Sequence, residues 1–400
     1  MTAPWLSIIG IGEDGALSPG ARACVANAAL VVGGARHLSL ADAHIRGDRL
    51  PWPSPIDAAI PAILARRPAP VAVLASGDPY WFGIGTTLAR HVPAVETLCI
   101  PAPSAFSLAC AALGWALQDC TTLSFCGRPL APLLPALQPG ARILALSADA
   151  TTPAAVAALM VAHGFGPSRL HVLEALGGPA HRVRICTAAG FGLRDLHPLN
   201  MIAIEVHVAP GARIIPLASG LPDTLFEHDG QITKREIRAV TLSTLAPRRG
   251  EHLWDIGCGS GSVGIEWCLR HPANRATAID GDPARAARAA RNAAALGVAL
   301  RVVTGPAPAA LAGLPPPDAV FIGGGAADPG VIDAAWAALP PDGRLVANAV
   351  TLETEAALLD ARARLGGILA RLSVERMDRI GAMHAYRPAM TVTQWLAVKP

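Results

Sequence analysis

Aromatic and charged residues are scarce in this chain of 400 residues, at 4% and 16% of the composition. Surfaces that bind nucleic acid usually carry a basic stripe with interleaved aromatic rings, so this composition disfavours that class of protein. The net charge of +3 is weakly basic, and nearly all the cations are arginines. Such a balance suits a small ligand that carries several negative charges.

Paired cysteines and long apolar runs are also missing. The eight cysteines include no Cys-x-x-Cys pair, which predicts neither a zinc site nor a disulfide framework and favours a reducing cytoplasm. No apolar run reaches the ~18 residues that a membrane span needs. The strand-like run at 5–9 has no basic segment before it, so we expect no signal peptide.

Short apolar runs alternate with amphipathic segments along the chain, which predicts an α/β fold. A length of 400 residues predicts two domains, and we place them at 1–208 and 223–400 with a linker at 209–222 that lacks periodicity. The predicted strands are 5–9, 71–75, 95–100, 142–147, 169–174, 201–207, 252–256, 276–280, 300–303, 319–322 and 344–349, with an antiparallel hairpin predicted at 369–374 and 391–397. The predicted helices are 19–29, 56–65, 104–113, 153–163 and 233–245.

A glycine-rich loop, Gly257-Cys258-Gly259-Ser260-Gly261, lies between a predicted strand and a helix in the second half. Glycines there let the backbone approach a ligand, and Asp280 at the end of the next strand can accept both hydroxyls of a ribose. Asp255 precedes the loop, where its charge would repel a pyrophosphate but favour the ammonium and sulfonium of S-adenosylmethionine. Because the run through Gly264 matches GxGxxG, a nicotinamide cofactor remains an alternative, as does a structural turn.

The first half carries a second candidate loop, Ser76-Gly77-Asp78-Pro79, after an apolar strand. A small-residue turn with one carboxylate can hold an amine-bearing cation, and Gly10 and Gly12 near the start of the chain are further candidates for backbone contact with the same ligand. An ordinary turn without a ligand is the alternative. Two such loops on one chain suggest two chemical steps on one substrate.

Taken together, several motifs resemble the fused precorrin-6Y C5,15-methyltransferase (decarboxylating) family of cobalamin synthesis, with CbiE-like and CbiT-like halves. The resemblance covers nearly the whole chain. The motifs of the first half are Val31–Leu38, Leu74–Pro79, Gly127-Arg128-Pro129 and Glu174–Pro179. Those of the second half are Ile232–Glu236, the glycine loop, Ala278-Ile279-Asp280, Phe321–Gly325 and Asn348–Glu353.

The resemblance implies a tetrapyrrole-methylase fold of two α/β subdomains fused to a Rossmann-like class I methyltransferase domain. It implies that the first half methylates carbon 5 of precorrin-6Y. The second half would methylate carbon 15 and remove carbon dioxide from the ring-C acetate, giving precorrin-8X. Each half would bind one S-adenosylmethionine, with no metal, and we expect a homo-oligomer that binds neither nucleic acid nor membrane.

Residue by residue, the resemblance implies a set of donor contacts: Gly77, Asp78, Ser104 and Ala105 in the first half, and Thr233, Gly257–Gly261, Asp280 and Ala307 in the second. Three features depart from the family pattern. Cys126 stands where a histidine is usual, and Pro306 stands where an acidic residue is usual. The turn Pro101–Ser104 lacks its glycine.

Methyl transfer to an electron-rich ring carbon needs orientation and exclusion of water rather than a catalytic triad or a metal. We expect basic side chains to hold the substrate's carboxylates, with ordinary solvated charge as the alternative. Asn348 is predicted to orient the substrate, and His384 and Tyr386, in a predicted polar loop, are candidate proton donors. The basic candidates are Lys234, Arg235, Arg238, Arg379, Arg36, His37 and Arg128.

Rival functions are a nicotinamide-dependent oxidoreductase and an RNA methyltransferase, because the second fold also serves those reactions. A third possibility is that the first half only holds the substrate.

Overall fold

The computed structural model describes residues 4–400, which divide into two compact units. One comprises the residues up to Leu130 and Ala136–Arg213, and the other comprises Ala131–Pro135 and Ile214–Pro400. The division after Arg213 falls inside the segment predicted as a linker. The end of that segment belongs to the second unit, since Leu221 is fully buried and its amide donates to the buried Glu266 carboxylate over 2.9 Å.

A parallel five-stranded sheet in the order β3-β2-β4-β1-β5 opens the first unit. Alternate residues of β1 enter two apolar clusters: Ile8 packs with Ile63, and Ile9 packs with Val25. Both faces of the sheet are therefore covered, as parallel sheets require. The elements are β1 (Leu6–Ile11), α1 (Pro19–Asn27), β2 (Leu30–Gly33), α2 (Ala35–Leu40), β3 (Asp48–Pro51), α3 (Ile60–Leu64), β4 (Val71–Ser76), α4 (Gly85–Leu88) and β5 (Thr97–Ile100).

A second five-stranded sheet follows in the order β6-β7-β10-β8-β9, in which only β6 and β7 are parallel. Helix α5 packs Phe106 against Leu144 and Met201 of this sheet. The elements are α5 (Ala105–Leu113), β6 (Cys120–Ser124), α6 (Leu133–Ala136), β7 (Arg142–Leu146), α7 (Thr152–Ala162), β8 (Arg169–Glu174), β9 (Arg182–Thr187) and β10 (Asn200–Glu205).

The edge strand β9 is held to β8 by two arginines on one carboxylate. Glu174 has no exposed side-chain surface, and Arg182 and Arg184 both donate to it. Burial alone would raise the pKa of Glu174, but these hydrogen bonds and one from the His197 amide lower it to about 2. The ionised Glu174 carboxylate therefore holds the end of β8 in place, just before Ala175.

The second unit is a seven-stranded sheet in the order β13-β12-β11-β14-β15-β19-β16, in which β19 is antiparallel to both of its neighbours. Strand order reverses beside β11, and ligands bind at such a switch point in parallel sheets. A separate hairpin of β17 and β18 is exposed along both strands. The elements are α8 (Arg235–Leu245), β11 (His252–Ile256), α9 (Ser262–Arg270), β12 (Arg275–Asp280), α10 (Pro283–Ala295), β13 (Arg301–Thr304), β14 (Ala319–Ile322), α11 (Val331–Ala338), β15 (Arg344–Ala349), α12 (Leu352–Leu365), β16 (Ile368–Leu372), β17 (Glu375–Ile380), β18 (Met383–Pro388) and β19 (Val392–Val398).

Two structural features are absent from residues 4–400: a membrane-spanning helix and a cluster of metal-binding side chains. Within that range the structure has no helix with the length and apolar character required to cross a bilayer. The same residues include no group of three or more His, Cys, Asp or Glu side chains placed to hold a metal ion.

Candidate functional sites

A cavity of about 770 Å³ opens at the carboxyl ends of the strands in the second unit. The loops that follow β11, β12, β14 and β15 all contribute to its wall. Residues predicted as site residues that line it are Thr233, Lys234, Gly257, Cys258, Gly259, Asp280, Ala307 and Asn348, together with Pro306. Their role as ligand contacts stays a prediction.

The glycine loop is shaped by positive φ angles and close backbone approach. Gly257, Gly259 and Gly261 have φ angles of 65°, 56° and 73°. A Cβ atom on Gly257 would lie 2.6 Å from the Gly324 carbonyl oxygen, and one on Gly261 would lie 2.9 Å from the Ala289 Cβ. Gly261 and its neighbour Ser260 do not line the cavity. Gly261 therefore serves helix packing, and Gly257 lets two strand-end loops meet.

Asp280 presents its carboxylate to the cavity in a fixed orientation. Its Oδ2 accepts a hydrogen bond from the Gly259 amide over 2.8 Å, and its Oδ1 accepts one from the Asp282 amide over 2.9 Å. Each oxygen keeps a further lone pair for a ligand hydroxyl. The side chain is thus a suitable acceptor for two neighbouring hydroxyl groups.

The prediction that Asp255 binds the ligand is wrong, because this residue lies beneath the loop and not at the cavity wall. Its Oδ2 accepts a hydrogen bond from the Gly264 amide over 2.8 Å, which satisfies a free N–H at the start of α9. Burial raises the pKa of Asp255 to about 7; the negative Asp280 adds to this rise, and the Gly264 hydrogen bond opposes it. The Asp255 carboxylate therefore does not lie at the cavity wall, where its charge would oppose a pyrophosphate.

Cys258 lines the cavity as a small apolar residue. Burial raises the pKa of its thiol, and the negative charges of Asp255 and Asp280 raise it further. The thiolate needed for nucleophilic chemistry is therefore disfavoured here.

Three cations meet the wall of this cavity: Lys234, Arg285 and Arg376. The Lys234 ammonium donates to the Gly230 carbonyl over 3.0 Å, and Arg376 pairs with Glu236 at the start of α8. Sequence reasoning found only Lys234. Arg376 lies far along the chain, on β17, and only the path of the chain brings it to this cavity.

The prediction that Arg238 holds a substrate carboxylate is wrong. Its side chain is fully buried, and its guanidinium pairs with Glu266 over 2.5 Å and with Asp223 over 3.0 Å. It also donates to the Thr233 and Leu221 carbonyls, so its donors are already used within the protein.

Other candidates from the sequence lie away from the cavity wall. Arg235 donates to the Gly220 carbonyl over 3.0 Å, and Arg379 donates to the Gly381 carbonyl over 2.9 Å. His384 and Tyr386 are exposed on strand β18 and not in a loop, which corrects the predicted local structure. Neither residue borders the cavity, so the structure gives no support to a role as proton donor.

The first unit has its own cavity of about 370 Å³ between its two sheets. Gly12, Gly77, Asp78, Ser104 and Ala105 line it, as do Arg36, His37 and Cys126. Gly10, also predicted to bind the ligand, does not line it. A Cβ atom on Gly10, within β1, would lie 2.0 Å from the Gly77 carbonyl oxygen and 2.4 Å from the Ala102 amide nitrogen. This glycine therefore leaves room for the contact between the loops that follow β4 and β5.

Helix α5 begins at this cavity with Ser104 as its N-cap. The Ser104 hydroxyl accepts from the Ser107 amide over 3.1 Å, as an N-cap side chain does. Asp78 accepts the Tyr80 amide over 2.8 Å, which leaves its second oxygen for another partner.

Arg36 and His37 line the same cavity, but only Arg36 has the charge to hold an anion. Arg36 pairs with Glu13 and donates to the Ser76 hydroxyl over 3.0 Å. Burial, together with the adjacent Arg36 charge, lowers the pKa of His37 to about 4. His37 is thus neutral at pH 7, which corrects its predicted role as a cationic clamp.

Two aromatic residues that sequence reasoning did not select, Trp81 and Phe82, also line the cavity of the first unit. Their rings lie 5.7 and 5.8 Å from the Phe106 ring. Arg128 does not line the cavity, but its guanidinium lies 5.3 Å from the centre of the Phe82 ring. Because these aromatic residues closely follow Gly77-Asp78-Pro79 in the sequence, they could have been predicted to line the cavity.

Comparisons with known proteins match the two halves of the chain to two different family models. A model described as tetrapyrrole (corrin/porphyrin) methylases matches residues 7–191, and a model described as a precorrin methyltransferase domain matches residues 224–399. A crystal structure of the C-terminal domain of precorrin-6Y C5,15-methyltransferase from Rhodobacter capsulatus is 45% identical. It covers 46% of this chain and 100% of that one, with a TM-score of 0.44.

Two curated relatives match along nearly the whole chain. The precorrin-6Y C(5,15)-methyltransferase [decarboxylating] of Sinorhizobium sp is 57% identical over 398 residues, which is 99% of this chain and 96% of that protein. The protein of the same name from Mycobacterium tuberculosis (strain CDC 1551 / Oshkosh) is 41% identical over 399 residues, 98% of this chain and 99% of that protein.

The fold, the two cavities and the two family models define a chain of two fused methyltransferase domains. The chain belongs to the precorrin-6Y C(5,15)-methyltransferase (decarboxylating) family.

Proposed function

We propose that this chain transfers methyl groups from S-adenosylmethionine to carbons 5 and 15 of precorrin-6Y and releases carbon dioxide from the ring-C acetate. The observation that carries the proposal is a separate cavity in each unit, formed at strand ends by small-residue loops and a carboxylate, in a chain of this family. The first unit would act at carbon 5, and the second at carbon 15 with decarboxylation.

The second cavity fits one S-adenosylmethionine. Asp280 would accept the ribose hydroxyls, and the backbone of Gly257–Gly259 would lie against the nucleoside. Ala307 and the adjacent Pro306 would form the side nearest the adenine, without the acidic acceptor that is usual there. When bound, the donor supplies an electrophilic methyl group on a positively charged sulfur.

Protein side chains need only orient the substrate and exclude water, because the macrocycle itself supplies the nucleophilic carbon. Lys234 and Arg376 at the cavity wall would hold carboxylates of the substrate. On decarboxylation the carbon–carbon bond to the carboxylate breaks, and its electron pair enters the conjugated imines of the macrocycle. A proton is then taken up by the substrate.

The first cavity would hold the second donor molecule. Asp78 would meet the cationic end, and the backbone at Gly12, Gly77 and Ala105 would lie against the rest. Trp81 and Phe82 would offer a flat apolar wall to the macrocycle.

Mass spectrometry of precorrin-6Y incubated with the protein and S-adenosylmethionine tests this proposal. We expect a product that has gained two methyl groups and lost one carbon dioxide. Unchanged precorrin-6Y would contradict the proposal, as would turnover that depends on a nicotinamide cofactor.

The assignment of steps to units has its own test in the Asp280→Asn variant. We expect it to abolish the carbon-15 methylation and the release of carbon dioxide while the carbon-5 methylation continues, because only the second donor site loses its carboxylate. Asp282→Asn is the matched control: it removes the same charge two residues away, at a helix N-cap outside the cavity. Loss of both methylations in Asp280→Asn, with the fold intact, would refute the assignment.

A further inference from the structure

Behind the second cavity lies a polar cluster, formed by Thr241 and Thr244 of α8, Asn348 of β15 and Gln394 of β19. Strand pairing sets Asn348 directly opposite Gln394. Gln394 Nε2 lies 2.9 Å from Asn348 Oδ1 and 3.1 Å from Thr241 Oγ1, and Asn348 Nδ2 lies 3.0 Å from Thr241 Oγ1. Thr244 Oγ1 lies 2.8 Å from Gln394 Oε1. The side-chain amide of Gln394 on β19 is therefore hydrogen-bonded to both α8 and β15.

Most side-chain N–H donors of this cluster are used within it. Gln394 uses both of its Nε2 hydrogens, one on Asn348 and one on Thr241. Asn348 accepts at Oδ1 and gives one Nδ2 hydrogen to Thr241, so one hydrogen remains. Thr241 and Gln394 are 0% and 4% exposed, whereas Asn348 lines the cavity. The Thr241 hydroxyl hydrogen is buried with its residue, so the donor of the cluster that can reach the cavity is the remaining N–H of Asn348.

We propose that Thr241 and Gln394 are positioning residues, which fix the Asn348 amide so that its free N–H donates to the acetate carboxylate that leaves as carbon dioxide. The inference rests on the proposed function of the second unit. Loss of carbon dioxide removes negative charge from that carboxylate. A cation bound there would stabilise the starting state more than the transition state. A neutral N–H orients the group and raises the energy barrier less than a cation would. Lys234 and Arg376 would bind the carboxylates that remain on the substrate.

The step balances without a further reactant. The bond between the methylene carbon and the carboxylate carbon breaks, and its electron pair passes into the macrocycle. The carboxylate leaves as carbon dioxide, and a proton from solvent is added to the substrate afterwards. Asn348 neither gains nor loses a proton in this scheme; it holds the breaking bond in alignment with the conjugated system.

The test compares Thr241→Val with Thr241→Ser in the full chain, using precorrin-6Y and S-adenosylmethionine. Valine removes the acceptor for Asn348 Nδ2, so we expect kcat for release of carbon dioxide to fall roughly 10- to 100-fold, as for a small misplacement of a reacting group. Serine keeps the hydroxyl and should restore kcat. Gln394→Met, which has no hydrogen to donate to Asn348 Oδ1, should resemble the valine variant.

Three further readouts separate positioning from a general structural defect. Methylation of carbon 5 by the first unit serves as an internal control and should stay at the wild-type rate. Donor affinity at the second site, measured by calorimetry, and the melting temperature should change little. Wild-type kcat in both Thr241→Val and Gln394→Met would overturn the inference, as would loss of donor binding in parallel with kcat. A different result would contradict the proposed function itself: the wild-type chain would leave precorrin-6Y unchanged.

Discussion

The two aspartates nearest the glycine loop have different roles because their surroundings differ. Asp280 is at the cavity wall with both oxygens held by backbone amides, whereas Asp255 is 1% exposed with one oxygen lacking a partner. A buried carboxylate without a cationic partner favours its protonated form, which is why the pKa of Asp255 is raised to about 7. The carboxylate at the cavity wall and the structural carboxylate can thus be distinguished only in the folded protein.

This difference predicts a pH-dependent effect of Asp255→Asn. Ionisation of Asp255 costs the folded state stability, so its favourable contribution is complete below the unfolded pKa near 4 and is lost as pH rises to about 7. Asparagine can still accept the Gly264 amide and cannot ionise. We therefore expect the melting temperature of the variant, relative to wild type, to rise between pH 5 and pH 8. A difference that stays constant over this range would show that Asp255 does not titrate in the folded protein.

At the scale of elements, the turn from β11 into α9 carries most of the site geometry. Gly257 and Gly250 both have positive φ angles, of 65° and 84°, so an alanine at either position is strained. Only at Gly257 does the added Cβ also meet backbone, 2.6 Å from the Gly324 carbonyl oxygen; at Gly250 nothing lies within 4 Å. A comparison of alanine variants at Gly250 and Gly257 therefore distinguishes the effect of backbone strain from the effect of a steric clash in the loop.

We expect Gly250→Ala to cost about 1 kcal/mol of unfolding free energy and to leave donor binding unchanged. Gly257→Ala should cost more, because two loops must move apart, and it should weaken donor binding at the second site. Thermal unfolding and calorimetric titration of both variants provide the measurement. Equal effects of the two substitutions on stability and on binding would contradict the role given to the contact between Gly257 and Gly324.

At the scale of the whole molecule, each of the two units has a cavity that we propose as a donor site. Calorimetric titration of the wild-type chain with S-adenosylmethionine should give two molecules bound per chain, because the cavities lie in separate units. Asp280→Asn should reduce this number to one, and Asp282→Asn should leave it at two. One molecule bound by the wild-type chain would support the alternative in which one unit only holds substrate.

Elements with strong local patterns were predictable from the sequence. The strands β4, β11, β14 and β15 were placed close to their observed bounds, because each is a short run of mostly buried residues. For the hairpin predicted at 369–374 and 391–397, the antiparallel pairing is confirmed by β16 and β19. The two strands do not form a hairpin, because β17 and β18 lie between them in the chain. Among the strands that the sequence analysis missed, β9 alternates between exposed and half-buried residues, and β3 and β17 are largely exposed. Strand β2 was also missed although its four residues are buried.

The sequence by itself determined the two glycine-containing loops and the strand-end Asp280, because a strand, a turn and a helix start are encoded by neighbouring residues. It could not separate Lys234 from Arg238, which lie one helical turn apart. Only the tertiary structure places Arg238 against Glu266 and Asp223 and leaves Lys234 at the cavity wall. Likewise, Arg376 and Gln394 reach the second site only through the pairing of distant strands, since long-range contacts and burial depend on where the chain returns.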